Sequence, residues 1–402
     1  MSKKTVVVTV AAMAIVFLVV GLLSPLERRV QADSKDAKIY ASKALDYLSQ
    51  ARNEADPTLL PEAEALLDRS LQLEPSDNFE ATVGMASLSN ARHDFDGSVR
   101  WARMAIRSNP HNASAYGLLG DAQFELGRYW AADRAYQKMI DLRPNLASYV
   151  RASYSLQFRG QSRRAVKAMK QALESAGPMG ERPAWIRHQL GDIYFGMGRL
   201  NQTARQNSIG TRLAPNYAPP RVGLAEVAIA RGRLTKAMNI IEGAARRLPS
   251  LEYLIKLGDL YRATGRNTEA EEQYREVANR LALYRSSGVM PDVDFILFYA
   301  DHSLRPRKSL EEARYLYRNR PTGGVGDALA WLLYRQGRPH RAWRHAKKAV
   351  HSRVADGSTY LHAATIARAV GRKGLSERFL KEANLRKRDL SILQLRDLKS
   401  LG

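Results

Sequence analysis

A glycine followed by a basic or polar residue returns at near-constant intervals along this chain: Gly127-Arg128, Gly160-Gln161, Gly198-Arg199, Gly232-Arg233, Gly265-Arg266, Gly337-Arg338 and Gly371-Arg372. The steps are 33, 38, 34, 33, 72 and 34 residues, so one interval holds two periods whose middle marker is missing. Five residues after these glycines stands a small residue: Ala132, Ala165, Thr203, Ala237, Ala270, Ala342 or Ser376. Proline closes many periods, at Pro75, Pro110, Pro144, Pro215 and Pro249. A fixed period constrains the fold more than any local propensity, because each unit then packs only on its neighbours and the chain grows as a stack.

Within one period the pattern is that of two short amphipathic helices. From Ala113 to Leu146, Tyr116, Leu119 and Gly120 share a face of a first helix, and Gly127 supplies a left-handed turn without a Cβ penalty. Ala132, Tyr136 and Met139 then recur at i, i+4 and i+7 on a second helix, which Pro144 ends. Gly120, Gly191 and Gly258, at the eighth position of their units, suggest close approach of the paired backbones. Neither helix can bury its stripe alone.

These residues resemble the tetratricopeptide repeat family, whose first helix carries large, Leu, Gly and Tyr residues and whose second carries Ala, aromatic, Ala and Pro. The unit from Ser250 matches through Leu254, Leu257, Gly258, Tyr261, Gly265, Ala270 and Tyr274. The unit from Ala184 matches through Leu190, Gly191, Tyr194, Gly198 and Pro215. The resemblance, to a membrane-anchored bacterial type, implies an all-α solenoid of antiparallel helix pairs, about ten units over residues 36–390, with 391–402 as a C-terminal tail. The first two units lack the glycine of the first helix. The segment Asp292–Pro321 keeps Ala300, Ala313 and Tyr317 but has Lys308 at the expected glycine, and the helix before it reads as running through Tyr284.

The N-terminus is a different material. After a short basic tail (residues 1–5, with Lys3 and Lys4), residues 6–23 carry no charge, and Glu27, Arg28 and Arg29 follow in a linker over 24–35. As a helix this run would span roughly 27 Å, close to the hydrocarbon thickness. It reads as a transmembrane anchor. A cleaved signal peptide would use Val30-Gln31-Ala32, but nine residues and three charges separate that site from Leu23, which favours the anchor. Two basic residues precede the span and four follow it (Arg28, Arg29, Lys35, Lys38), a count that keeps the repeats inside. A very short basic tail ahead of a first hydrophobic segment argues the reverse, and the expected location is a single-pass membrane protein with its repeats outside the cytoplasm.

Cysteine is absent, which removes disulfides, thiolate metal sites and Cys nucleophiles. A hydrophobic share of 45% supports a packed core despite a net charge of +23. Catalytic patterns fail on spacing. Gly323-Gly324-Val325-Gly326 precedes a helix, but no Lys-Ser/Thr follows and Asp327 would repel phosphate, so a flexible connection between units is the better reading. Asp301-His302-Ser303 cannot form a relay, because consecutive helical residues diverge by about 100°. Asp292 and Asp294 fit an N-cap and a first-turn acid. His302, His340, His345, His351 and His362 lack metal-ligand spacing and read as packing or solvated residues. No cofactor, metal or enzymatic activity is expected.

In the family that these repeats resemble, first helices line a concave groove. The ninth position of the units carries Asp121, Tyr154, Asp192, Glu226 and Asp259, accompanied by Phe124, Trp185 and Phe195. Acids interleaved with aromatics suit a basic or mixed peptide. Family members that grip a C-terminal carboxylate carry Lys, Asn and Arg in these places, and that clamp is missing here. Residues 303–402 hold 23 Lys+Arg against 8 Asp+Glu. Arg341, Arg344, Lys347 and Lys348 form a helical stripe, and Arg386, Lys387 and Arg388 lie near the terminus, a candidate patch for anionic lipid or wall polymer. Nucleic acid is disfavoured for want of stacking platforms. The sequence thus reads as a membrane-tethered scaffold for protein partners, with polyanion binding as the alternative.

Overall fold

Each unit is built the same way from its ends. In eight of the ten pairs the first helix begins at a side-chain cap supplied by Asn, Asp, Ser or Thr, as at Asn112, whose carboxamide oxygen accepts from Ser114 N–H, and Ser250, which accepts from Tyr253 N–H; at Gly180 and Tyr217 the side-chain cap is missing. The first helix ends in a left-handed residue followed by a long backbone hydrogen bond. Gly127 has φ 74°, and Arg128 N–H reaches back to Gln123 C=O at 2.8 Å; Gly265 and Arg266 repeat this with Tyr261 C=O. The repeated glycine marker is therefore a helix-ending turn that reverses the chain into the second helix.

The computed structural model describes residues 35–401 apart from 305, 353 and 354. The expected basic tail, the anchor over 6–23 and all but the last residue of the linker lie outside the described residues. Among the described residues there are 21 α-helices, one short 3-10 turn and no strand. The helices form ten antiparallel pairs. These are α1 (Ala37–Glu54) with α2 (Leu59–Leu73), α3 (Phe79–Ala91) with α4 (Phe95–Ser108), α5 (Ala113–Glu125) with α6 (Tyr129–Leu142), α7 (Leu146–Phe158) with α8 (Ser162–Glu174), and α9 (Glu181–Gly196) with α10 (Leu200–Leu213). They continue with α11 (Ala218–Ala230) and α12 (Leu234–Arg247), α13 (Leu251–Ala263) and α14 (Asn267–Ser286), α15 (Val293–Asp301) and α16 (Pro306–Asn319), α17 (Gly323–Arg335) and α18 (Pro339–Ala349), and α19 (Gly357–Ala369) and α20 (Lys373–Leu385). A 3-10 turn at Lys387–Asp389 leads to a last helix, α21 (Ile392–Leu401), in the segment read from sequence as a tail. No helix among the described residues is long and apolar enough to cross a membrane.

Three local expectations need correction. The missing marker is Ser303, not Lys308: Ser303 takes the left-handed turn at φ 55°, and Leu304 N–H donates to Tyr299 C=O as in the glycine units. Ala55 and His93 fill the same slot in the first two units, at φ 52° and 61°. Gly323-Gly324-Val325-Gly326 is no flexible connection. Thr322 caps α17 and these residues form its first turn, while a Cβ on Gly323 would collide with Ser352. Finally, the eighth-position glycines accommodate side chains rather than a backbone. The space at Gly120 and Gly258 is filled by the rings of Tyr136 and Tyr274, and at Gly191 by the Asn207 amide.

The first helices of successive pairs touch directly, α1 on α3, α3 on α5, α9 on α11, α15 on α17 and α17 on α19, whereas among the described residues no comparable packing joins consecutive second helices. The stack consequently curls with its first helices inside. After five units the curl meets itself: Met290 N–H, in the loop before α15, donates to Arg92 C=O at the end of α3 at 2.9 Å. Arg320, before α17, pairs with Asp292 and lies 3.4 Å from Glu125 of α5, with its guanidinium over the Phe95 ring. One superhelical turn is pinned by this arginine.

Alanine at Gly258 tests the ring-in-a-notch packing. Helix propensity alone favours the substitution by about 1 kcal/mol, but its Cβ would stand 2.5 Å from the buried Tyr274 ring. Gly258→Ala is expected to cost a net 1–2 kcal/mol or about that in urea unfolding; a gain in stability would show that the ring yields freely.

Candidate peptide groove on the inner face

The ninth-position residues face the inside of the superhelix, and most are already partnered there. Asp121 receives both Nε and Nη2 of Arg151, at 2.8 and 2.7 Å, and the Tyr136 hydroxyl at 3.1 Å. Glu226 is ion-paired with Lys256. The Tyr154 hydroxyl donates to Gln189 at 2.8 Å, and Trp331 Nε1–H donates to Asp301 at 2.6 Å. Arg151, Gln189 and Lys256 stand three residues before the ninth position of the next inner helix, so these contacts form a polar ladder that ties a unit to its successor, and the Trp331–Asp301 contact joins two later units in a different register. Thirty residues separate the partners in two of the three rungs, and also separate Asp301 from Trp331. That spacing was present in the sequence, but only the stacked structure reveals it as a contact.

The ladder lapses at Asp192 and Asp259. In the corresponding places of the next inner helices stand Gly223 and Asp294, neither of which can pair with a carboxylate. Asp192 lies 3.4 Å from His188 Nε2 on its own helix, and burial together with the charges of Glu226 and Glu252 lifts its pKa to about 6. Asp259 accepts from the Tyr274 hydroxyl at 2.9 Å; burial raises its pKa to about 7 against the lowering effect of that hydrogen bond. His302 stacks on Tyr274, 3.8 Å between ring centroids, and lies 3.7 Å from Asp259, while burial holds its pKa down at about 3. Asp301, His302 and Ser303 therefore diverge to three different partners, Ser303 accepting from Arg335.

Among the accompanying aromatics, Phe124 packs edge-on against Phe158 and Tyr129, and with Tyr154 it lines a cavity of 680 Å³ inside the point of closure. Phe195 lines a second cavity beside Asp192, Glu226 and Asp259. Trp185 does not join either; it is half-buried against the core of α7 to α9. The first cavity also holds residues that sequence reading missed: His93, Phe95, Glu125 and Asp292. Burial and the neighbouring Asp292 charge raise the Glu125 pKa to about 7. These residues meet only through closure of the superhelix, and no local pattern announces them.

The basic residues divide between two places. Arg341, Arg344, Lys347 and Lys348 are exposed on the second helix α18. Arg386 instead pairs with Glu382 and lies over the Tyr360 ring, and Arg388 presses its guanidinium against Gly198, at the end of α9. Of the five clustered histidines, His302 and His362 are buried, His345 packs edge-on against Tyr317, and His340 and His351 are exposed. Among the described residues no group of three or more His, Asp or Glu side chains is arranged to hold a metal ion.

His362 anchors the far end of the inner face. Its Nδ1 lies 2.9 Å from Asp327 and its ring stacks on Trp331 at 4.2 Å. Burial pushes its pKa down, yet Asp327 more than offsets this and the net displacement is upward. Removing the cation leaves a buried carboxylate, so His362→Ala should cost about 3–5 kcal/mol in denaturant unfolding. Because the folded pKa is raised, the pair's contribution is complete below about pH 6.5, the unfolded value, and declines as pH rises through the folded one. Stability of the wild type relative to the double variant Asp327→Asn/His362→Gln should therefore fall between pH 6 and 9; a relative gain would contradict the assignment.

Comparison with known proteins agrees with this architecture. The model of the tetratricopeptide repeat family matches residues 85–147 and 221–286. No curated protein matches the sequence. Similar solved structures include PilF of Pseudomonas aeruginosa, at 15% identity over 54% of this chain and 94% of that one with a TM-score of 0.40. TTC0263 of Thermus thermophilus follows at 19% identity, 46% and 99% coverage and a TM-score of 0.40. Human IFIT1 matches at 15% identity over 78% of this chain and 72% of that one, with a TM-score of 0.49.

Proposed function

Since the chain is a tetratricopeptide repeat protein, we propose that it is a non-enzymatic scaffold that holds a basic peptide segment of a protein partner on its inner face, tethered to the membrane by residues 6–23. One observation carries the proposal. The cavity inside the closure sets Phe95, Phe124, Tyr154 and Phe158 beside Glu125, while Asp121 and Asp292 on its wall are already paired with Arg151 and Arg320. Aromatic faces with an adjacent carboxylate suit the cationic head and apolar stem of Lys or Arg, through cation–π contact and charge together. The uncharged run at 6–23 behind Lys3 and Lys4 supports the tether, with the repeats outside the cytoplasm.

Two measurements test this. An array of Lys- and Arg-containing peptides probed with the full-length chain should yield binders whose affinity falls about tenfold or more in Phe124→Ala. Their affinity should also weaken from pH 8 to pH 5, because Glu125, with a pKa of about 7, is neutralised over that range. Binding that ignores both changes would remove the groove reading. For the tether, protease added to intact spheroplasts should remove the repeats; survival until lysis would place them inside.

A second reading has its own support: Arg341, Arg344, Lys347 and Lys348 form no ion pair with a described residue and present an exposed basic stripe on α18. Replacing all four by Gln should cut co-sedimentation with anionic vesicles at low salt, by about 1 kcal/mol for each lost contact. Equal sedimentation of both proteins would leave the stripe a solvated face.

A further inference from the structure

The last sixteen described residues do not trail away from the stack; they cross its interior. After α20 the chain makes the 3-10 turn at Lys387–Asp389, buries Leu390 against the Gly357 backbone, and starts α21 with a reciprocal cap in which Ser391 Oγ accepts from Gln394 N–H and Gln394 Oε1 accepts from Ser391 N–H. The 3-10 turn touches α9, and α21 touches α13, helices five and three units earlier in the chain than α19 and α20. Arg388 sets its guanidinium 2.6 Å from the Cβ position of Gly198, at the C-terminal end of α9. Arg396 donates to the carbonyl of Ala263, the last residue of α13. Two arginines of one short segment thus rest on the C-terminal ends of two inner helices, where the orphan carbonyls and the helix dipole favour a cation.

Between those two ends lies the stretch where the polar ladder lapses. Arg388, Leu390, Ser391, Ile392 and Gln394 form one wall of the cavity whose other wall contains Asp192, Glu226, Glu252 and Asp259. The segment 386–401 carries five Lys or Arg against two Asp. We infer that the inner groove of α9, α11 and α13 is a docking surface for a basic, amphipathic peptide and that residues 386–401 of this chain are its resident occupant, seated there as an internal ligand that yields to a peptide of the same chemistry supplied in trans. The inference rests on the inner face being the peptide-binding face, but concerns a different stretch of it from the cavity lined by Phe124.

The test uses a fluorescein-labelled synthetic peptide of residues 385–402 and the full-length chain. In the wild type the groove is filled and the peptide should bind weakly. In the double variant Arg388→Glu/Arg396→Glu, which repels the segment from both helix ends and leaves its leucines in place, the peptide should bind at least tenfold more tightly, and adding Asp192→Lys and Glu226→Lys should abolish the gain. Because the chain has no cysteine, Leu390→Cys reports seating directly. Its reaction with a thiol reagent should accelerate at least tenfold in the charge-reversed background. Equal peptide affinity in wild type and variant overturns the inference, as does an unchanged thiol rate, or a gain that survives the two groove substitutions. Phe124→Ala should leave this peptide's affinity unchanged, so failure of the cavity reading is separable from failure of this one.

Discussion

Every larger feature of this molecule depends on one constraint: a helix pair of this length cannot bury its apolar stripe except against the next pair. The turn between paired helices fixes how each pair presents that stripe. A left-handed residue and the long hydrogen bond behind it hold this turn even where glycine is replaced by Ala55, His93 or Ser303. At those three positions a left-handed side chain costs about 1–2 kcal/mol, and the stack bears it because the turn is common to all its neighbours. The curl then follows from packing the first helices on one another. Closure follows from the curl, with Arg320 joining Asp292, Glu125 and Phe95 where one superhelical turn is complete.

The same inner face serves stacking and recognition, and the two uses fall on different residues. Where an acid meets Arg151 or Lys256 from the next unit, its charge is spent within the fold and helps set the register of the stack. Where the next unit offers Gly223 or Asp294, the acid keeps its charge only at a desolvation cost, which the raised pKa values of Asp192 and Asp259 express. A cation arriving from elsewhere relieves that cost. The inner surface is therefore not uniform: partnered stretches are structural, and the lapses in the ladder are the places with something to gain from a ligand.

Much of the fold was legible because it repeats. Gly127-Arg128 and its counterparts mark the same turn in unit after unit, and the small residues from Ala132 to Ser376 mark the buried face of the second helix, so a period could be read without knowing any contact. Reading failed where one unit broke the pattern or where two distant units meet. Ser303 was passed over because serine carries no left-handed signature, and Gly323-Gly324 read as a loop because Thr322 can cap a helix whose first turn has poor propensity. The ninth-position acids were found, but their partners thirty residues on were not, since the pairing belongs to the interface between units. Arg320, Glu125 and Phe95 were invisible for a stronger reason: how far the stack curls is a sum of small rotations, and only the finished sum says which units touch.

On this structure the inner face, and not the basic outer helix, is where a partner docks. The most direct measurement is quantitative affinity capture by the full-length chain in three forms: wild type, an inner-face variant carrying Phe124→Asp and Asp192→Lys, and an outer variant with Arg341, Arg344, Lys347 and Lys348 all changed to Gln. A protein retained by the wild type should be lost from the inner-face variant and kept by the outer one. Retention by the inner-face variant together with loss from the outer one would contradict it and transfer the function to α18.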